Sequence, residues 1–83
     1  MALALLVACS SAPYQEMSDA RQALESAQHA VGKMPGPQAK ANRAEALLDR
    51  AREHLSKREH GEARHLAEQA KTLAIEARES AER

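Results

Sequence analysis

The sequence predicts an all-α protein, an antiparallel helical hairpin with a shorter N-terminal helix, arranged as a two- to three-helix layer. Three observations carry this expectation. First, an eight-residue pattern with Ala at both ends, apolar residues at its fourth and fifth positions and an acid at its sixth occurs three times, as Ala20–Ala27 (ARQALESA), Ala44–Ala51 (AEALLDRA) and Ala63–Ala70 (ARHLAEQA). The Ala pair and the two apolar residues between them fall on one stripe of a helix with a 3.6-residue repeat. Second, Gly32-Lys33-Met34-Pro35-Gly36-Pro37 and Glu59-His60-Gly61 interrupt the periodic segments. Third, acidic and basic residues are interleaved over the remaining positions, as on a solvated helix face.

Taken in order, residues 1–8 read as a signal-peptide remnant, 9–17 as a short tether and 18–83 as the helical domain. Ser18 is a good N-cap and Asp19 adds favourable charge to a first turn, so the first helix is expected over 18–31 with Ala20, Ala23, Leu24, Ala27, Ala30 and Val31 on one face. Two prolines and two glycines within residues 32–37 cannot continue it. Pro37 suits the first turn of a second helix over 38–58, striped by Ala41, Ala44, Leu47, Leu48, Ala51 and Leu55. Gly61 stands where a left-handed C-terminal cap is needed, and Glu62 then supplies negative charge to the start of a third helix over 62–81. Its stripe is Ala63, Leu66, Ala67, Ala70, Leu73, Ala74, Ala77 and Ala81, alternating steps of three and four as in a coiled-coil seam. The residues expected to pack the hairpin are Ala44, Leu48, Ala51, Leu55, Ala63, Leu66, Ala70 and Leu73.

Composition limits how such a layer can be held together. Of the 83 residues 43% are apolar, but 19 of those are Ala, there is no Phe or Trp, and Tyr14 is the sole aromatic residue. A thick core is therefore excluded, and stability rests on Ala burial, helix propensity or self-association. Apolar surface is expected near Leu24, Leu47 and Ile75. Twelve basic and twelve acidic residues cancel, and pairs such as Arg21/Glu25, Glu53/Lys57, Arg64/Glu68 and Glu79/Arg83 stand one helical turn apart. A nucleic-acid partner needs a basic patch, preferably with stacking aromatics, and the sequence has neither.

Chemistry-bearing residues are few. His54, His60 and His65 form the candidate ligand cluster, since a turn near His60 would bring position 54 opposite 65, with Glu59 or Glu62 available as a fourth zinc ligand. Their spacing matches no metalloprotease motif. A phosphate-binding Gly-rich loop and a Ser-His-acid arrangement are absent, and a thin helical layer offers no deep pocket, so neither an enzyme activity nor a small-molecule substrate is expected.

The N-terminal run Met1–Ala8 (MALALLVA) ends at Cys9, the lone cysteine, which excludes an intrachain disulfide and any CxxC site. Eight residues cannot cross a bilayer, which requires about 20. Leu6-Val7-Ala8-Cys9 followed by Ser10-Ser11 resembles a bacterial lipoprotein signal. The resemblance implies cleavage before Cys9, with Leu6, Val7 and Ala8 forming the signal-peptidase box, and a covalent lipid on the Cys9 thiol. Ser10 replaces the Asp that retains such lipoproteins in the inner membrane, which implies the periplasmic face of the outer membrane. The basic segment that precedes such a run is missing, pointing either to a start codon further upstream or to a chance match. The upstream genomic sequence decides between them.

Ser18-Asp19-Ala20-Arg21-Gln22-Ala23-Leu24, near the lipidated end, and Glu62-Ala63-Arg64-His65-Leu66-Ala67-Glu68-Gln69-Ala70 resemble small Ala-rich envelope lipoproteins grouped as domain of unknown function 4398. That family carries no established activity, and its domain stands alone or ahead of an OmpA-like peptidoglycan-binding domain, which is not expected within these 83 residues. The resulting expectation is a non-enzymatic, membrane-tethered periplasmic lipoprotein acting as a helical structural or protein-interaction module. It would have no cofactor beyond the lipid, and its partners would be the membrane and either a second copy or a helical envelope protein. Two alternatives are a cytosolic helical adaptor, TPR-like or coiled-coil, and a periplasmic protein binding metal through its histidines. The repeated units start at 20, 44 and 63, against a TPR period of about 34 residues.

Overall fold

The computed structural model describes residues 12–83. It is all-α: helices α1 (Tyr14–Val31), α2 (Pro35–Ser56) and α3 (His60–Glu82) follow one another, with no strand among the described residues. α1 is longer than expected. It begins at Tyr14, with Pro13 in the capping position and the Met17 amide donating to the Pro13 carbonyl at 3.0 Å. Tyr14 to Met17, expected in the tether, therefore form its first turn. Ser18 is an interior helical residue whose hydroxyl accepts from Gln22 Nε2 at 3.5 Å. The local cause is Pro13: its fixed φ and missing N–H suit a helix start, and Glu16 brings the favourable first-turn charge.

The first connection is Gly32 to Met34. Gly32 takes φ +51°, a value L-residues rarely adopt, while its amide donates to Gln28 at 3.4 Å. Met34 is extended, as a residue before proline prefers, and Pro35 opens α2. The helix thus starts at the first proline of the Gly/Pro stretch, and Gly36 and Pro37 lie inside its first turn.

The second connection corrects the expected break at Gly61. The turn runs from Lys57 to Glu59, and Arg58 carries the positive φ, 61°. The Glu59 amide donates to the His54 carbonyl at 2.9 Å and the Arg58 amide to Leu55 at 2.9 Å. These two bonds form a Schellman motif with arginine where glycine is usual. His54 Nδ1 also lies 2.8 Å from Glu59 Oε1, so side chains and backbone tie the same two residues together. His60 and Gly61 open α3 instead of breaking the chain.

The buried stripes are Ala20, Leu24, Ala27 and Val31 on α1; Ala41, Ala44, Leu48 and Ala51 on α2; and Ala63, Leu66, Ala67, Ala70, Ala74 and Ala77 on α3. Ten of these fourteen are Ala, and no polar or charged side chain is buried among the described residues. Facing Ala residues let helix axes approach to about 8 Å, the lower end of the usual range. α3 packs extensively on both α2 and α1, whereas α1 and α2 touch each other less. The arrangement is therefore three packed helices sharing α3, with α1 an integral part of the core.

Charges on α3 explain how α1 is seated. Arg64, Lys71 and Arg78 recur every seven residues on one face of α3, the interval that keeps a stripe aligned along two helices. Arg64 Nε reaches Glu16 Oε2 at 3.2 Å, Lys71 Nζ lies 4.0 Å from Asp19 Oδ2, and Arg78 donates to Ser26 Oγ at 3.1 Å. Position numbers rise together on both helices, so α1 and α3 run parallel. Arg21/Glu25, Glu53/Lys57 and Glu79/Arg83 are not among the ion pairs joining described residues, which include Arg52–Asp49 at 2.9 Å and Arg78–Glu82 at 3.5 Å.

Candidate functional site

Leu6, Val7, Ala8 and Cys9, the expected signal-peptidase box and lipid attachment point, lie outside the described residues. No helix among the described residues is long and apolar enough to cross a membrane.

The turn geometry gives the three histidines different settings. Moving the break from Gly61 to Arg58 makes His54 part of the α2 terminus and His60 the first residue of α3, while His65 lies one helical turn and more beyond. His54 is engaged with Glu59, and His65 Nε2 lies 3.2 Å from Gln69 Nε2. Among the described residues no group of three or more His, Cys, Asp or Glu side chains is placed to hold a metal ion. The expected convergence of His54, His60 and His65 is thus not found at the α2–α3 turn.

Of the residues expected to pack the helices, Ala44, Leu48, Ala51, Ala63, Leu66 and Ala70 are buried, and Leu73 is half-buried against the core. Leu55 is half-buried and outside the main cluster, because the turn begins two residues later and the α2 stripe ends at Ala51. The expected apolar surface changes as well. Leu24 is buried at 7% exposure because α1 docks on α3, while Leu47 remains half-buried and Ile75 stays 41% exposed.

What remains open is a groove on the α2–α3 face. Leu47 and Leu73 form its apolar floor, Arg43 lines it from α2, and His65, Glu68, Gln69, Thr72 and Glu76 line it from α3. It continues along α2 past Ala46 to Arg50. Ile75, two residues after Leu73, lies outside the groove, on the flank of α3 that carries Lys71 and Arg78. The charges differ from those between α1 and α3. The side chains of Arg43, Arg50, Glu68 and Glu76 form no hydrogen bond or ion pair with another described residue, whereas Arg64, Lys71 and Arg78 are each engaged across to α1. The signal for this groove lay in the sequence as Arg43 and Arg50 seven residues apart and Glu68 and Glu76 eight apart. Both pairs had merged into the solvated face.

An open groove between two helices, polar at its walls and apolar at its floor, can bind another helix or surface by shape and charge. It offers no enclosed volume in which to desolvate a reacting group. No family model matches the chain, and no curated protein or solved structure matches it.

Proposed function

We propose that this chain is a lipid-anchored, non-enzymatic helical module at the periplasmic face of the outer membrane, working by protein interaction. The observation that carries the reading is the Leu6-Val7-Ala8-Cys9 box standing immediately before a helical domain. Only four residues separate Cys9 from Tyr14, where α1 begins. Fully extended, that stretch spans at most about 18 Å, so a lipid on Cys9 would hold the domain close to the bilayer. The resemblance of Ser18–Leu24 to the Ala-rich envelope lipoproteins supports the same address. The α2–α3 groove, with its unengaged charges, is the surface through which the module acts.

Fractionation tests the address. Expressed from its complete reading frame in a Gram-negative host, the protein should sediment with outer membranes and resist extraction by high salt, because acyl chains anchor through hydrophobic burial. Release by salt alone would show a peripheral association without lipid. A wild type found wholly in the cytosol would remove the address and leave a cytosolic helical adaptor of the same fold.

A further inference from the structure

We infer that the α2–α3 groove is a self-complementary docking face for a second copy of this chain. The inference rests on reading the domain as an interaction module, and it names the partner. Because α3 folds back along α2 from the turn at Arg58, residues at similar distances from that turn lie at one level. Arg43, 15 residues before Arg58, therefore lies within one helical turn of the level of Glu76, 18 residues after it, and Arg50 likewise of Glu68, cations on one wall and anions on the other. None of the four is engaged within the described residues.

Two copies can bring these faces together about a two-fold axis in two ways. An axis across the helices sets α2 against α2 and α3 against α3, placing arginines beside arginines and glutamates beside glutamates. An axis along the helices sets α2 of each copy against α3 of the other at unchanged level, so Arg43 meets Glu76 and Arg50 meets Glu68 at both ends of the interface. Charge selects the second, and each helix then lies antiparallel to both of its neighbours in a four-helix core, with α1 on the outside of each copy. Leu47 and Leu73 meet their counterparts at the centre. A face one helix long, about 33 Å, and two helices wide covers about 650 Å² per copy, slightly below the roughly 800 Å² per partner of a standard interface. The dimer is accordingly a weak one, favoured by the local concentration that confinement to a membrane provides.

Sedimentation equilibrium of the full chain tests this, with Cys9→Ser throughout to exclude both lipid and intermolecular disulfide. The unswapped charges should give a monomer–dimer equilibrium. Arg43→Glu/Arg50→Glu and, separately, Glu68→Arg/Glu76→Arg should each weaken self-association about tenfold or more, and mixing the two should restore pairing through heterodimers. The four-residue swap in one chain should again self-associate but fail to pair with the unswapped chain, which keeps the test decisive even where one two-residue variant folds poorly. A monomer at every concentration, or a mixture that associates no better than its components, overturns the proposal. Neither result touches the lipid anchor, whose failure would appear in fractionation.

Discussion

Arg58 sits at φ 61° in the turn between α2 and α3, a conformation in which a Cβ crowds the backbone. Arg58→Gly should therefore raise stability by about 0.5 to 1 kcal/mol, despite the greater freedom of glycine in the unfolded chain. Gly61, in contrast, lies in the first turn of α3 with nothing within 4 Å of where a Cβ would stand. Gly61→Ala should stabilise by about 0.4 to 1 kcal/mol, and Gly32→Ala should destabilise by about 1 kcal/mol because Gly32 needs its positive φ. Urea midpoints measure all three signs, and a loss of stability in Gly61→Ala would restore glycine as the cap. The reason Gly61 looked like the turn is physical. Glycine is the common left-handed residue after a helix, and nothing in Lys57-Arg58-Glu59 announces that Schellman bonds to the His54 and Leu55 carbonyls will hold an arginine there.

Helix stripes were legible because Ala and Leu recur at spacings of three and four, and the three buried faces follow that recurrence. Which stripe meets which was less so. The heptad Arg64, Lys71, Arg78 was present in the sequence, but Arg64 had a nearer partner in Glu68, and only docking of α1 directs it to Glu16 at 3.2 Å. The start of α1 was hidden by Ser18-Asp19, an N-cap signature that Pro13 pre-empts. Packing predictions follow from the seam. Leu48, 1% exposed, is the one large side chain of α2 in the core, and Leu48→Ala should cost about 2 to 5 kcal/mol. Ala70, 2% exposed, faces its neighbours closely, and Ala70→Phe should cost about 1 to 3 kcal/mol by overpacking. A thermal melt unchanged by Ala70→Phe would place that residue outside. The polar α1–α3 contacts involve half-exposed side chains, so each contributes less than about 1 kcal/mol. Together they set where α1 sits, and Arg64→Ala/Arg78→Ala should speed amide exchange in α1 well before α2. Equal acceleration in both helices would show that α1 has no separate seat.

At the scale of the whole molecule, the described residues form an Ala-seamed domain with α1 closed onto α3 and a groove open along α2 and α3, an arrangement that suits the proposed interaction module. The closed face fixes α1 against α3, and the α2–α3 groove points unengaged charge outward. The proposed anchor rests on four residues of sequence, whereas the groove required the fold, because its walls come from two helices and pair residues far apart in the chain. Incorporation of labelled fatty acid into the protein, expressed from its complete reading frame, tests the central claim most directly. Wild type should take up label and Cys9→Ala should not. Equal labelling of the two, or no label in wild type, would contradict a lipid-anchored module.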